Sequence, residues 1–285
     1  MSLHIQAIAS GSNGNCLVIN SPEGAVLVDA GVSRKRIVEG LQKAGISPSQ
    51  VQGVLVTHAH SDHVKGLPVL SKHLNACVYA TEPTLNELLN YEDQDPRWGE
   101  IVRGGVPIEQ GKIANVGPFD VITMRASHDS PGTVGYRVHY RIPGTRGITV
   151  SVLTDTGELG EREHWQLSRS DVLLVESNHD LQALKISPRP KFLKDRIRRT
   201  HLSNDQTAET LTKINNNRLK AVFLGHLSGE CNSPDLVRSW VRRWHIQNQP
   251  GWEWFMAPRE QASDLVKVTT EGIQRVRQFA GSVDW

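Results

Sequence analysis

One short run constrains the fold of this chain more than any other, namely Thr57-His58-Ala59-His60-Ser61-Asp62-His63. It directly follows residues 51–56, an apolar and β-branched run that is typical of a buried strand. The residues after it, 64–70, predict the start of a helix that Pro68 then kinks or ends. Three histidines and one aspartate therefore stand where a strand ends, which is a usual place for reactive groups in α/β proteins.

The spacing within this run predicts a metal site. His58 and His60 are two residues apart, so their imidazoles face the same side of an extended segment. Asp62 and His63 follow at the turn, where they can face a second ion beside the first. A single histidine is more often structural than metal-binding, but packing does not readily explain four such residues together. Two adjacent ions can hold phosphate oxygens as a pair.

Length and composition indicate an ordinary globular protein. The chain has 285 residues, 38% hydrophobic and 22% charged, and we see no Pro/Gly/Ser-rich linker. We therefore predict a single domain over residues 1–285. The net charge of +2 neither requires nor excludes a nucleic acid partner.

Cysteine usage and the apolar pattern predict a cytoplasmic protein without a membrane span. The three cysteines, Cys16, Cys77 and Cys231, cannot all pair with one another, so we expect free thiols in a reducing compartment. The first twenty residues lack the apolar core of a signal peptide. No apolar run reaches the roughly 18 residues that a membrane helix needs.

Several other predicted strands also end in acidic residues or histidine. We predict strands over residues 3–9, 16–20, 25–29, 77–80, 119–126, 132–141, 148–153, 172–175 and 221–224. The polar residues at or just after five of these strands are Asp29, His128, Asp155, Glu176 and His226. Because strand ends that meet at one edge of a sheet make a site, we expect these side chains to converge.

Four other segments of the chain support less specific predictions. Helical patterns cover residues 33–44 and 81–90, and the polar stretch 91–105 is read as a surface connection rather than a flap over the site. The loop 10–15 is either a plain hairpin turn or a loop whose backbone N–H groups face an anion. On the second interpretation, Ser12 and Asn13 are candidate substrate-binding residues.

The His-x-His-x-Asp-His run resembles the signature of the metallo-β-lactamase superfamily. The resemblance implies an α/β fold, the αββα sandwich of two mixed β-sheets with outer helices, and two divalent metal ions. It assigns His58, His60 and His128 to one ion, Asp62, His63 and His226 to the other, and Asp155 to a bridge between them. It also implies that Asp29 supports the metal loop from behind the ligands.

The identity of two ligands narrows the chemistry that this resemblance implies. Asp155 is not the cysteine of the zinc lactamases, and His60 is not the glutamate of the redox-active di-iron branch. The set therefore favours hydrolysis with Zn²⁺ or Mn²⁺ over oxygen chemistry. Cys231, five residues after His226, is read as structural or incidental.

Two further segments resemble ribonuclease Z-like enzymes. Residues 171–176 resemble their strand that ends in a glutamate, and residues 200–204 resemble their Gly-His-Ser/Thr segment. The resemblance implies that Glu176 orients His201, that His201 protonates the leaving oxygen, and that Asp62 accepts a proton from the attacking water. The structural alternatives are that Glu176 caps the next segment and that His201 lies on the surface.

Taken together, these motifs resemble the YycJ/WalJ-like metallo-hydrolases, bacterial cytoplasmic proteins linked with 5′-exonuclease activity on DNA. The resemblance covers most of residues 1–235, although Thr200 stands in place of a glycine and Cys231 in place of an asparagine. The tail from Trp252 matches no pattern of the family, and the chain is too short for an inserted β-CASP domain. The resemblance implies a dinuclear-metal phosphodiesterase acting on nucleic acid, with DNA favoured over RNA.

Two basic segments bear on the substrate. Residues 189–199 contain six basic residues and one acidic residue and directly precede His201, which favours phosphate contacts. Residues 238–244 combine three arginines with Trp240 and Trp244. They predict an amphipathic helix with buried tryptophans slightly more readily than a surface of stacking rings.

Two other classes of function share the predicted metal ligands. One is a glyoxalase II-like thioesterase or a small cyclic-phosphodiester hydrolase, which would not need His201 and would show little dependence on salt. The other is a non-catalytic partner protein stabilised by metal, for which a complete set of ligands is not required.

Overall fold

The structure, a computed structural model, describes residues 1–74 and 76–276 of the chain. Within them, the strands form an eight-stranded and a seven-stranded mixed sheet. The strands of the first half are β1 (Leu3–Ala9), β2 (Cys16–Ser21), β3 (Gly24–Val28), β4 (Val51–Leu55), β5 (Cys77–Ala80), β6 (Val106–Pro107) and β7 (Ala114–Val116). Those of the second half are β8 (Phe119–Arg125), β9 (Val134–Tyr140), β10 (Ile148–Leu153), β11 (Val172–Glu176), β12 (Ala221–Gly225), β13 (Glu253–Met256), β14 (Leu265–Val268) and β15 (Ile273–Val276).

The order of the strands divides the chain between the two sheets. The first sheet runs β15-β14-β1-β2-β3-β4-β5-β6, and the second runs β13-β12-β11-β10-β9-β8-β7. In the first, β3 to β6 are parallel, and in the second, β10 to β13 are parallel. The remaining neighbours are antiparallel, so both sheets are mixed, as the sequence predicts.

Helices cover the outer face of each sheet. They are α1 (Arg34–Lys43), α2 (Ser61–Val64), α3 (Leu67–Leu74), α4 (Glu82–Leu88), α5 (Arg97–Arg103), α6 (Glu161–Leu167), α7 (Leu181–Ile186), α8 (Lys191–Thr200), α9 (Asn204–Ile214) and α10 (Pro234–Asn248), with short 3₁₀ turns at Pro48–Gln50 and Leu89–Tyr91. One apolar core fills the space between the sheets and contains Ile5, Tyr136 and Phe223. Two further cores lie between each sheet and its helices. The predicted αββα sandwich is confirmed.

The sheet topology brings the predicted site residues to one edge. Strands β8, β10, β11 and β12 run in the same direction, because β9 is antiparallel to both β8 and β10. Their carboxyl ends therefore meet at one edge of the second sheet. In the first sheet, β3 and β4 are parallel and pair as far as Val28 and Leu55, just before Asp29 and the histidine run.

Two sequence predictions about local structure are wrong. Pro68 neither kinks nor ends a helix, since it is the second residue of α3, where a missing backbone N–H costs nothing. The stretch 91–105 is not a plain connection, because it contains α5, which buries Trp98 and Ile101 against the outer core of the first sheet. The Tyr91 hydroxyl donates to the carbonyl of Ala59 at 3.0 Å, so this segment supports the histidine run from outside.

The C-terminal segment completes both sheets. β13 pairs parallel to β12 in the second sheet, and β14 then pairs antiparallel to β1 in the first. The chain therefore crosses between the sheets after Met256, which the sequence did not predict. Residues 277–285 lie outside the described residues, and the single domain over 1–285 stays a prediction.

Helix α10 is amphipathic and buries its tryptophans, which is the alternative that the sequence slightly favoured. Trp240 and Trp244 are buried in the core beneath the second sheet, while Arg242 and Arg243 are exposed. Across residues 1–74 and 76–276, no helix combines the length and the apolarity needed to cross a membrane.

Candidate active site

Three histidine nitrogens converge at the end of β4. Nε2 of His58 lies 3.1 Å from Nδ1 of His60, which lies 3.2 Å from Nε2 of His128. The second nitrogens of two rings are engaged elsewhere: Nδ1 of His58 lies 3.1 Å from Oγ1 of Thr57, and Nδ1 of His128 donates to the carbonyl of Thr200 at 3.0 Å. The lone pairs of these imidazoles therefore face one point, as the ligands of one ion do.

A second group of ligand atoms lies beside the first. Oδ2 of Asp62 is 3.5 Å from Nε2 of His63 and 3.7 Å from Nε2 of His226. Helix α2 begins at Ser61, which turns Asp62 and His63 toward the ends of the second sheet. The structure thus brings together the three residues that the resemblance assigns to a second ion.

Asp155 lies between the two groups. Its Oδ2 is 3.2 Å from Nε2 of His63 and 3.0 Å from Nδ1 of His226, and its Oδ1 is 3.8 Å from Nε2 of His128. One carboxylate oxygen therefore faces each group. This is the arrangement that the predicted bridging role requires.

The donor atoms fit divalent cations. Oδ2 of Asp155 and Nδ1 of His226 are buried and have no hydrogen-bond partner among the described residues. Buried polar atoms are rarely left unpaired, so such atoms at the centre of a histidine and aspartate cluster fit a bound cation. Imidazole nitrogen and carboxylate oxygen are both ordinary ligands of divalent metal ions in proteins.

The electrostatics of the cluster favour positive charge at its centre. Burial alone would lower the pKa of His63 and His226, but the pKa of His63 is raised well above its usual value by Asp29 and then Asp155, and that of His226 is raised well above its usual value by Asp155. Burial would likewise raise the pKa of Asp155, but the two histidines lower it well below its usual value. At His58, burial lowers the pKa of the imidazole well below its usual value. A divalent cation bound here would take the place of the protons on the imidazoles of His63 and His226.

Asp29 supports the loop 57–63, which carries four of the predicted metal ligands. Its Oδ2 lies 2.7 Å from Nδ1 of His63, so that nitrogen donates and Nε2 is left for the cluster. Its Oδ1 accepts from the backbone N–H of Thr57 at 2.8 Å and from the Thr57 hydroxyl at 3.0 Å. The side chain is 2% exposed, and these bonds satisfy the buried carboxylate.

Three of these residues have left-handed backbone conformations. The φ angles of Asp29, Asp155 and His226 are 62°, 57° and 51°, each just after a strand. This conformation costs an ordinary L-residue roughly 1–2 kcal/mol. It is held by tertiary contacts, since the N–H of Asp29 donates to the carbonyl of Leu55 and that of His226 donates to Oγ of Ser10. Strain of this kind is concentrated at functional sites.

Glu176 and His201 form a pair next to the cluster. Oε2 of Glu176 lies 3.0 Å from Nδ1 of His201, and Oε1 accepts from the N–H of Thr156 at 2.7 Å. Glu176 is fully buried at the end of β11, and burial would raise its pKa, but the His201 charge lowers it. Because Nδ1 is held, Nε2 is the nitrogen that His201 offers to the cavity that it lines.

A cavity of about 220 Å³ opens over the cluster. Its lining includes His60, Asp62, His128, Asp155, His201 and His226, together with Ser12, Asn178, Arg189, Leu193, Arg196, Ile197 and Ser228. Of the two candidate substrate-binding residues, Ser12 lines the cavity and Asn13 does not belong to its lining. The carbonyl of Asn13 instead accepts from Nζ of Lys65 at 2.6 Å.

The loop 10–15 acts mainly as structural support. The N–H groups of Gly11 and Gly14 donate to Oδ1 of Asn15 and to the carbonyl of Gly11, both at 2.8 Å. Asn15 also donates its own N–H to the carbonyl of Asp62 at 2.8 Å. Gly31 lies against the same point, since a Cβ there would stand 1.6 Å from the Asp62 carbonyl oxygen.

Sequence reasoning missed the roles of Ser10, Asn15 and Thr57. All three stand within or beside motifs that were recognised, so their position was a signal. Thr57 directly precedes the predicted ligand His58, and Ser10 and Asn15 are the first and last residues of the polar loop 10–15. Cys231 is fully buried against Leu184 and Ile197 and packs α7 and α8 onto the body of the protein.

Comparison with known proteins agrees with this geometry. The family model of the metallo-β-lactamase superfamily matches residues 9–146. Exodeoxyribonuclease YycJ of Bacillus anthracis is 32% identical over 246 residues, which cover 84% of this chain and 87% of that protein. Exodeoxyribonuclease WalJ of Streptococcus pneumoniae serotype 2 (strain D39) is 33% identical over 233 residues, covering 81% and 83%.

The fold also agrees with a solved structure. The metallo-β-lactamase fold protein YhfI from Bacillus subtilis superposes with a TM-score of 0.65 at 13% identity, covering 92% of this chain and 99% of that one. This likeness shows the fold, and the two sequence relatives show the family. The clustered histidine and aspartate ligands are those of a divalent-metal site. The chain belongs to the YycJ/WalJ family of the metallo-β-lactamase superfamily of metal-dependent hydrolases.

Proposed function

We propose that this protein is a nucleic acid phosphodiesterase that uses two divalent ions, Zn²⁺ or Mn²⁺, and that it degrades DNA from the 5′ end. The observation that carries the proposal is the Glu176–His201 pair beside the ligand cluster. A leaving alkoxide needs a proton more than a thiolate does, so this pair favours a phosphodiester over a thioester. The names of the relatives YycJ and WalJ, both exodeoxyribonucleases, favour DNA over RNA.

Each residue of the site has a proposed part in this reaction. His58, His60 and His128 would hold one ion, Asp62, His63 and His226 the other, and Asp155 both. When bound, two such ions lower the pKa of water and offset the charge that develops on the phosphate. Asp62, which lines the cavity, would accept the proton of the attacking water. Glu176 would orient His201, whose Nε2 would protonate the leaving oxygen.

The test is cleavage of end-labelled single- and double-stranded DNA and RNA by metal-stripped protein to which Mn²⁺ or Zn²⁺ has been restored. We expect mononucleotides released from the 5′ end of DNA. His60→Ala should abolish this release, and His201→Ala should slow it by roughly 10²–10⁴-fold. His73→Ala is the matched control, because His73 is an exposed histidine on α3.

An activated aryl phosphodiester separates the acid role from the metal role. Its leaving phenolate needs no proton, so His201→Ala should slow its cleavage far less than that of DNA. Equal loss on both substrates would reject the acid role of His201. If wild-type protein cleaves the aryl ester but no polymer, the nuclease proposal is wrong, and thioesters and cyclic phosphodiesters would be screened next.

A further inference from the structure

Helix α8 forms one wall of the cavity over the metal ligands. Arg189, Leu193, Arg196 and Ile197 all contribute to its lining. Leu193, Arg196 and Ile197 are three and four residues apart within α8, a spacing that places helical side chains on one face, and Arg189 lies just before the helix. The helix ends at Thr200, directly before His201. This face therefore leads from the proposed general acid toward the rim of the cavity.

Arg196 lies at this rim in an ion pair with Asp129, and a substrate phosphate can take the place of the Asp129 carboxylate. Its Nε and Nη2 atoms are 2.5 and 3.1 Å from the two carboxylate oxygens of Asp129, and Oδ1 of Asp129 is 3.4 Å from Nε2 of His128. The side chains of Arg196 and Asp129 are 44% and 38% exposed. Exposed pairs of this kind contribute little net stability, so an incoming phosphate can compete for the guanidinium.

Arg189 offers a second cation on the same wall. Its Nε donates to Oε2 of Glu230 at 2.9 Å, and the Glu230 side chain is 60% exposed. Two arginines on one wall of a cavity that also holds the metal ligands are suited to bind the phosphates of one strand. Arginine matches phosphate oxygens with two parallel hydrogen bonds.

Phe192 adds a ring next to this basic face. Its side chain is 73% exposed, and it precedes Arg196 by four residues, so the two are neighbours on the helix surface. An exposed ring beside arginines is the combination that binds single-stranded nucleic acid, in which bases stack and phosphates pair.

The cavity is too small to enclose more than a short part of a nucleic acid strand. Pockets that enclose a small-molecule ligand have volumes of roughly 300–1,000 Å³. The cavity here, at about 220 Å³, is smaller. It has room for the reacting phosphate and its immediate neighbours, and the rest of a strand would lie outside it, where the exposed face of α8 is available.

We propose that Arg189, Phe192 and Arg196 form a track for the single-stranded end of the nucleic acid substrate. Arg196 and Arg189 bind phosphates next to the one that reacts, and Phe192 stacks on a base. This inference rests on the proposed function and names the part of the protein that recognises the polymer. Because stacking and phosphate contacts read no base edges, the track is tolerant of sequence.

Binding without cleavage tests the track. Metal-stripped protein in chelator would be titrated into a fluorescent single-stranded oligonucleotide, and the Kd followed by anisotropy over a range of salt. Phe192→Ala should weaken binding by roughly 5- to 150-fold, the value of one stacked base, while Phe192→Trp should retain it. Arg196→Gln should lower the slope of log Kd against log salt by about 0.7, the loss of one phosphate contact.

Two control variants match these changes. Arg198→Gln removes an arginine of the same helix that pairs with Asp195 and does not line the cavity. Ile186→Ala removes an equally exposed apolar side chain from α7. Both should bind the oligonucleotide like wild type. If Phe192→Ala and Arg196→Gln bind no more weakly than these two controls, the track is rejected.

An abasic scan locates the stacked base. Oligonucleotides with one abasic position each would be bound by wild type and by Phe192→Ala. Wild type should lose affinity at one position, and the variant should be insensitive there. Failure of the proposed function would instead appear as metal-loaded wild-type protein that cleaves no nucleic acid, whatever its affinity for the oligonucleotide.

Discussion

At the scale of single residues, three residues of the site have a backbone conformation that their local sequence does not favour. Asp29, Asp155 and His226 are left-handed at the ends of β3, β10 and β12. Aspartate and histidine tolerate this conformation better than most residues, but neither requires it. The contacts that hold Asp29 and His226 come from Leu55, at the end of β4, and from Ser10, just after β1. The ligand geometry therefore depends on tertiary structure.

Asp29→Asn tests the support of the metal loop. Asparagine keeps the left-handed backbone and the size of the side chain but weakens the bond that orients His63. We expect metal affinity to fall by about 10–100-fold with the fold retained. A chelator competition measures the Kd for Mn²⁺ or Zn²⁺. Asp120→Asn, a change at an exposed ion pair with Arg141, serves as the control, and an unchanged Kd for Asp29→Asn would refute the role.

Gly31→Ala tests the close contact beneath Asp62. The added methyl group would stand 1.6 Å from the Asp62 carbonyl oxygen and 2.8 Å from the N of Asn15. The backbone must shift, at a cost of at least about 1–3 kcal/mol in the free energy of unfolding. Urea unfolding measures this change. At Gly104 the nearest atom is 3.4 Å away, so Gly104→Ala should be nearly neutral.

At the scale of elements, Asp171 joins the loops at the edge opposite the site. It is fully buried just before β11, and its carboxylate accepts from Arg146 at 2.6 and 2.8 Å and from Lys220 at 2.7 Å. It also accepts from the backbone N–H of Thr149 at 3.0 Å. These residues precede or begin β10 and β12. One carboxylate thus holds three parallel strands in place, and their opposite ends carry Asp155, Glu176 and His226.

Asp171→Asn should lower the free energy of unfolding by about 3 kcal/mol, because it leaves buried donors facing a neutral amide. Burial would raise the pKa of Asp171, but the bonds from Arg146 and Lys220 lower it below its usual value. The stabilisation is therefore present above the unfolded pKa of about 4 and is lost as pH falls toward the folded value. Urea unfolding between pH 7 and pH 3 should show the wild-type advantage shrinking. An advantage that is independent of pH would contradict this account.

At the scale of the whole molecule, the C-terminal segment ties the two sheets together. After β13, the carbonyl of Pro258 accepts from the N–H of Ser10 at 2.9 Å, and the carbonyl of Ser263 accepts from Nε2 of Gln6 at 2.8 Å. β14 then covers the edge of β1 and contributes Val266 and Val268 to the core between the sheets. An uncovered β1 would offer unpaired backbone groups to other chains.

Val266→Ala tests whether β14 belongs to the cooperative core. The side chain is fully buried, so its truncation should cost about 2 kcal/mol in the free energy of unfolding. The neighbouring Lys267 is half-exposed, and Lys267→Ala should change stability by no more than about 0.5 kcal/mol. Thermal and urea unfolding measure both. Equal, small effects would show that β14 is not part of the core.

Local patterns in the sequence were enough to predict the class of fold and to name the residues that gather at the site. The histidine run, the polar residues at five strand ends and the basic segment before His201 are local patterns, and the structure brings all of the predicted metal ligands together. These patterns were readable because alternation and ligand spacing are properties of a few neighbouring residues. The family prediction followed from the same motifs and is confirmed.

The pairing of distant strands and the backbone conformation at the site could be learned from the three-dimensional structure alone. β14 is short, and its partner β1 lies more than 250 residues away, so no local pattern marks it as part of the first sheet. The left-handed backbone at Asp155, the burial of Asp171 among three loops and the position of Arg196 at the cavity depend on long-range contacts too. Local sequence sets which conformations are available at each residue, and packing between distant segments selects among them.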